Sequence, residues 1–190
     1  MREPALYHEI LIAGFGGQGV VLAGKLLATA ALAEGREVVW APSYGPEMRG
    51  GAVHCTVIVS STRIGSPEVS LADALLIMDA ASMKRSAARI KPQGLLVVNS
   101  SLVPTPPNAT SFELVQVAAN DLAEELGEPR VANVVMLGAF LAARPVVSLD
   151  SVVEAMRVTA GKAWEHLVAV NRAALEKGAE IARAELKARR

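Results

Sequence analysis

Gly14-Phe15-Gly16-Gly17-Gln18-Gly19 fits the spacing G-x-G-x-x-G. The pattern follows the apolar run Glu9–Ala13 and precedes a stretch rich in Ala and Leu, so it falls where a strand hands over to a helix. Glycines there let the chain turn tightly and let a phosphate reach backbone N–H groups at a helix N-terminus. The same residues also suit a turn with no ligand, where they permit close strand–helix packing. A dinucleotide site requires in addition an acid at the end of the second strand, to hold the ribose. Val39-Trp40-Ala41-Pro42 offers none, and Glu37 stands at the strand's start, so a standard NAD site is disfavoured. Gly14, Gly16, Gly17, Gln18 and Gly19 remain candidates for contact with a cofactor or a neighbouring subunit.

Gly19 to Lys25 imitates a phosphate-binding loop, G-x-x-x-x-G-K. Leu26 replaces the hydroxyl residue that would hold magnesium, and Val20-Val21-Leu22-Ala23 is helix-forming, which makes Lys25 a solvated helix residue. Ser43-Tyr44-Gly45-Pro46-Glu47-Met48-Arg49-Gly50-Gly51 is the next candidate. In a doubly wound sheet the loops after the first two strands lie side by side at the C-terminal edge, where ligands bind. Arg49 beside two glycines suits an anion or carboxylate, and Tyr44 offers a hydroxyl or a stacking face. Equally, Glu47 and Arg49 can pair to order the loop, or the loop can meet another chain.

The remaining polar residues form no catalytic set. His54 and Cys55 are neighbours on an expected strand, so they point to opposite faces and cannot pair; Cys55 reads as a small buried apolar residue. His8 and His166 read as surface residues. Asp79 ends a strand, where it serves a site or caps the following helix. Asn133 opens an apolar helix and either caps it or faces the cleft. No Ser–His–Asp order, carboxylate pair or metal-ligand cluster stands out, which favours a subunit or binding module over a stand-alone catalyst.

The elements that position these residues are legible in outline. Strands are expected at Glu9–Ala13, Glu37–Ala41, Ala52–Ser60, Ala74–Asp79, Leu95–Asn99 and Phe112–Val117. Helices are expected at Gln18–Glu34, Ala80–Ile90 (stopped by Pro92 and Gly94), Asp121–Leu126 capped by Asp121, and Ala132–Ala143. Two more run from Ser148 or Asp150 to Thr159 and from Lys162 to the C-terminus. The last helix carries an apolar stripe of Trp164, Leu167, Val168, Leu175, Ile181, Ala182 and Leu186, with Arg172 and Glu176 paired on its wet face. Pro42–Gly51 reads as a loop. Its ten residues barely allow a crossover, so the third strand is expected antiparallel or at a rearranged edge. The alternation argues α/β: one Rossmann-like three-layer domain over residues 1–190, with a mostly parallel, mixed-edge sheet.

Composition narrows the function. Lys and Arg total 19 against 19 Asp and Glu, which excludes a general nucleic-acid or anionic-membrane reading. A single Cys excludes a disulfide framework, a four-thiolate zinc site and a self-contained iron–sulfur cluster. Apolar residues make up 52% but aromatics only 4%, which suits a buried sheet or a subunit that hides surface against partners. Met1–His8 has no apolar stretch, so no signal peptide is expected. The apolar run Val131–Ala143, broken by Asn133 and Gly138, is shorter than the ~20 residues of a membrane span, and a cytoplasmic protein is expected.

Three segments carry a resemblance: Ile12-Ala13-Gly14-Phe15-Gly16-Gly17-Gln18-Gly19-Val20, Ser43 through Gly51, and Val131-Ala132-Asn133-Val134-Val135-Met136-Leu137-Gly138-Ala139. In this order they make the chain resemble the gamma subunit of 2-oxoacid:ferredoxin oxidoreductases, most closely the 2-oxoglutarate type, over nearly its whole length. Pyruvate, branched-chain and indolepyruvate enzymes have similar gamma chains. The resemblance implies a complex that converts a 2-oxoacid, CoA and oxidised ferredoxin into acyl-CoA, carbon dioxide and reduced ferredoxin. Thiamine diphosphate with Mg and the iron–sulfur clusters would sit on alpha, beta and ferredoxin-like delta subunits. This sequence agrees, having no Gly-Asp-Gly thiamine motif and one Cys. The implied role is scaffolding and help with CoA access, with Gly14–Gly19, Tyr44 and Arg49 on the presented edge, and a homodimer for the isolated chain. A free-standing nucleotide-binding protein and a purely structural subunit are the competing readings.

Overall fold

A computed structural model describes residues 5–45, 51–105, 111–160 and 167–188. Six strands form one sheet in the order β2-β3-β1-β4-β5-β6. β1 (Tyr7–Phe15) lies centrally, parallel to β4 (Ala72–Ile77), β5 (Ile90–Asn99) and β6 (Glu113–Val117) in turn. β3 (Ala52–Ser60) runs antiparallel to β1 on one side and to β2 (Glu37–Tyr44) on the other. The antiparallel third strand is the outcome expected from the short connection, and the sheet is otherwise parallel. β3 lies between the first two strands, so their ends are not direct neighbours.

Alternating side chains divide the core. Ile10, Ile12, Val57, Leu76, Val97 and Val115 face a helical layer, while Leu11, Ile58, Leu75, Ile77, Leu96 and Val98 face the other way. The helical layer holds α1 (Val20–Ala33), α3 (Ala119–Glu125), α4 (Ala132–Ala143), α5 (Leu149–Ala160) and α6 (Val168–Ala188). The opposite face is covered more thinly, by α2 (Ala80–Ser86) and by Ile64, Val69, Val103 and Phe112 from connections.

Local chemistry sets the element ends. α1 stops at Gly35, whose φ of 74° only glycine adopts without strain, and the N–H groups of Gly35 and Arg36 turn back to the carbonyls of Leu32 and Ala31. Ser148 caps α5 by accepting the Ser151 N–H at 3.1 Å, and Glu34 accepts the Ser148 N–H at 2.8 Å, which ties that cap to the end of α1.

Several expected boundaries are corrected. Pro42, Ser43 and Tyr44 belong to β2 and not to a loop; β2 is an edge strand, where Pro's missing N–H costs no ladder bond. The helix after Asp79 ends at Ser86 in a short 3-10 turn, and β5 begins at Ile90, running through Pro92 and Gly94 with a register shift against β4. Asp121 does not cap α3, which starts at Ala119 and places this acid in its first turn. The expected start of the last helix at Lys162, together with Trp164, lies outside the described residues. Leu175 and Ala182 of its stripe are buried in α6, and Arg172 pairs with Glu176 at 3.4 Å and with Asp150 at 2.9 Å.

Candidate functional site

The glycine turn sits at the C-terminal edge of the sheet, between β1 and α1. Gly14 and Gln18 form its internal brace. The Gln18 Oε1 accepts the Phe15 N–H at 2.9 Å, and its Nε2 donates to the Met78 carbonyl at 3.4 Å, joining the ends of β1 and β4. A Cβ on Gly14 would stand 2.5 Å from that oxygen and 2.7 Å from Val20 Cγ2. These two residues therefore hold the turn in shape. The Gly16 N–H donates to the Gly51 carbonyl at 3.0 Å, stapling the turn to the start of β3.

Gly17 faces outward from the brace, and Gly19 faces the Asn133 side chain. Both have positive φ, 107° and 74°. Gly17 has open space where a side chain would be. Gly19 caps α1 with no side-chain hydrogen bond, and the first turn of α1 contains no acid. The N–H groups of that turn have no partner within the helix, and the helix dipole puts positive potential there. Such an end accepts a phosphate or carboxylate. Asn133, from the start of α4, donates from Nδ2 to the Gly19 carbonyl at 3.0 Å and so faces the cleft instead of capping its own helix. It lies 114 residues away in the chain.

The expected partners of the turn divide. Tyr44 is 59% exposed at the end of β2, paired with Val53 of β3, while Phe15 of β1 pairs with Ala52. Two strand spacings separate Tyr44 from the turn, about 10 Å. Of this segment, Gly51 at the start of β3 is the residue that meets the glycine turn, while Tyr44 is separated from it by the interposed β3. Arg49 and Glu47 lie outside the described residues, as does His166.

Asp79 acts as a cap. Its carboxylate accepts the Ser82 N–H at 2.9 Å and the Ser82 hydroxyl at 2.8 Å, opening α2. Beside it, buried Asn99 at the end of β5 donates to the Met78 carbonyl at 3.1 Å and accepts the Ala119 N–H at 3.1 Å, which fixes the β5 and β6 ends. His8 is half-buried in β1, not a free surface residue; burial lowers its pKa, with Asp73 opposing. Burial and the Arg89 charge lower that of His54 as well. At the far end of the sheet, Lys91 pairs with Glu9 at 2.6 Å and Asp73 at 2.8 Å, pinning β1, β4 and β5 away from the turn.

Cys55 points opposite to His54, into the core beneath α1, close to the Trp40 indole and Gly24. Burial pushes its thiol up to about 12, so at neutral pH it stays protonated and inert. Iodoacetamide at pH 8 is expected to leave the folded chain unmodified and to label it once urea unfolds it; rapid labelling of the native chain would contradict this burial. Among the described residues, no group of three or more His, Cys, Asp or Glu is placed to hold a metal, and no helix is long and apolar enough to cross a membrane.

This geometry defines a class: a Rossmann-like α/β chain whose glycine turn is braced from within and stapled to a β-hairpin. The sequence matches the family model described as pyruvate ferredoxin/flavodoxin oxidoreductase over residues 9–181, and the chain belongs to that family. It is 39% identical to the ketoisovalerate oxidoreductase subunit VorA of Methanothermobacter thermautotrophicus, over 92% of this chain but only 36% of that one. The chain thus spans about a third of that relative's length. With the 2-oxoglutarate synthase subunit KorC of Methanocaldococcus jannaschii it shares 35% identity over 96% of this chain and 97% of the relative. The crystal structure of the gamma subunit of a keto/oxoacid ferredoxin oxidoreductase from Geobacter sulfurreducens is 35% identical, with a TM-score of 0.79 over 93% of this chain and 99% of that one.

Proposed function

We propose that the chain is the gamma subunit of a thiamine diphosphate-dependent 2-oxoacid:ferredoxin oxidoreductase, with 2-oxoglutarate, CoA and oxidised ferredoxin as substrates and succinyl-CoA as product. The observation that carries this reading is the near end-to-end match to separate subunits, the KorC protein and the Geobacter gamma subunit. 2-Oxoglutarate rests on the KorC match and on the resemblance of the three motif segments. Alpha and beta subunits, with a ferredoxin-like delta subunit, supply the thiamine diphosphate, Mg and iron–sulfur clusters. The one cysteine of this chain is buried and protonated, which fits no cluster on it.

Within such a complex the turn and the hairpin form the edge offered to the catalytic subunits. Gly14 and Gln18 hold that edge in shape; Gly16 is stapled to Gly51; the N–H groups beyond Gly19, which meet no acceptor among the described residues, are the ones proposed to meet an anion. An uncapped helix start without acids fits a phosphate of CoA. Tyr44 lies at the end of β2 beside that edge, and Arg49 is proposed as a further anion contact. A guanidinium–phosphate bond contributes about 1.5–3 kcal/mol. Arg49→Ala in the assembled complex is therefore expected to raise KM for CoA roughly ten- to a hundredfold, with KM for the 2-oxoacid unchanged. Intact assembly with an unaltered KM for CoA would sink the role given to Arg49.

A further inference from the structure

Gln18 braces the glycine turn from an anchor of its own, the Met78 carbonyl just beyond β4. That carbonyl takes a second donor. Asn99, at the end of β5, offers it an Nδ2 hydrogen at 3.1 Å, against 3.4 Å for Gln18. A carbonyl oxygen has two lone pairs, so the two amides share it without conflict. Asn99 has no exposed surface. Its other Nδ2 hydrogen goes to Asn120 Oδ1 at 2.8 Å, and its Oδ1 accepts the Ala119 N–H at 3.1 Å. The amide cannot be turned over, because its oxygen faces a donor and its nitrogen faces two acceptors.

Strand pairing does not require this amide. The ladder between β4 and β5 runs up to Ile77 and Val98, and burying an amide carries a desolvation cost that an apolar side chain avoids. Asn99 stands one residue beyond that last pair, where Met78 leaves the ladder. What the side chain adds is a fixed direction for the Met78 carbonyl. From there the bonds pass to Gln18 Nε2, and from Gln18 Oε1 to the N–H of Phe15, between Gly14 and Gly16. Asn133 of α4 grips the other end of the turn at the Gly19 carbonyl. The turn is thus held at both ends by side-chain amides.

We infer that Asn99 is a positioning residue for the glycine turn. It aims the Met78 carbonyl, Gln18 hangs from that carbonyl, and the backbone from Phe15 to Gly19 takes the path that presents the first N–H groups of α1. This role for Asn99 rests on the anion contact proposed for those groups.

Hydrogen exchange on the isotope-labelled full chain compares Phe15, whose N–H is held by Gln18, with Leu11 in the middle of the same strand. In Asn99→Leu, Phe15 is expected to exchange at least tenfold faster relative to Leu11. A general loss of stability would instead speed the buried Leu11 at least as much. In the assembled complex the same variant is expected to raise KM for CoA about tenfold, the effect of one neutral hydrogen bond. Its kcat and its KM for 2-oxoglutarate are expected to stay within about twofold, because the global fold is kept. Should Asn99→Leu fail to fold, Asn99→Ser has a side chain too short to reach Met78, and the same relative rise at Phe15 is expected. An unchanged ratio of Phe15 to Leu11 exchange in a folded variant overturns the positioning role, whatever the chain's function. A raised ratio with KM for CoA unchanged upholds the link from Asn99 to the turn and sinks the CoA reading instead.

Discussion

Gly138→Ala is expected to destabilise the fold by about 3 kcal/mol or more. A Cβ on Gly138 of α4 would run into the backbone carbonyl of Leu175 in α6, and its Leu175 Cα would be 2.9 Å away. The contact is reciprocal, since a Cβ on Gly178 would strike the Val135 carbonyl. The two helices touch backbone to backbone at this crossing, and no flexible side chain is available to give way. Adding a methyl forces the helices apart along their packed faces, loosening Leu137 and Phe140, both fully buried. A urea midpoint measures this, with Gly65→Ala as control: Gly65 has open space and no positive φ, so its variant is expected within about 0.5 kcal/mol of the unaltered chain. Equal midpoints for the two variants would contradict the close crossing.

Gly19→Ala combines two penalties at the candidate site. At a φ of 74° a side chain costs about 1–2 kcal/mol, and the new Cβ would meet the Asn133 amide, 2.8 Å from its Cγ. Asn133 must then withdraw, which breaks the bond holding the turn to α4. Loss of about 2–4 kcal/mol is expected overall, together with at least a tenfold fall in the CoA-dependent rate of the reconstituted complex. Gly17→Ala separates the two effects. Its φ of 107° is strained, but nothing stands within 4 Å of its Cβ, so only the backbone penalty of about 1–2 kcal/mol is expected. Equal loss from both variants would show that Asn133 does not matter to the turn.

The contrast between these glycines marks what the sequence makes legible. The spacing of Gly14–Gly19 locates the turn, because strand, glycines and helix are adjacent in the chain. The spacing says nothing about which glycine meets what. Gly14 is packed inside by Gln18, Gly17 looks outward, and Gly19 answers to Asn133 from α4. Gln18 looks like a candidate ligand contact in the motif, and its amide also braces the turn by accepting from Phe15 and donating to Met78. Asn133 is visible as a polar residue opening an apolar helix, but its partner lies across the fold. Asp79 illustrates a choice between two local readings that only the position of Ser82 decides.

The fold follows the same division. The continuous apolar runs of β1, β4 and β5 are a local signal, and the shortness of the β2–β3 connection points to an antiparallel strand or a rearranged edge, of which the sheet shows the antiparallel strand. The insertion of β3 between β1 and β2 is not local, because it rests on the ladder β3 forms with β1, whose residues lie about 45 positions away in the chain. Pro42 hides the end of β2, since only an edge position makes proline acceptable in a strand. The backbone contact between α4 and α6 has no counterpart in hydrophobic periodicity, which reports faces and not how closely they approach.

The most direct measurement is ferredoxin reduction driven by 2-oxoglutarate and CoA, assayed with this chain alone, with the thiamine- and cluster-bearing chains alone, and with all combined. Pyruvate and ketoisovalerate are run in parallel. The expected result is no turnover by this chain alone, full turnover only in the combined sample, and preference for 2-oxoglutarate. Turnover by the isolated chain, or full CoA-dependent turnover in its absence, would contradict the assignment as a gamma subunit.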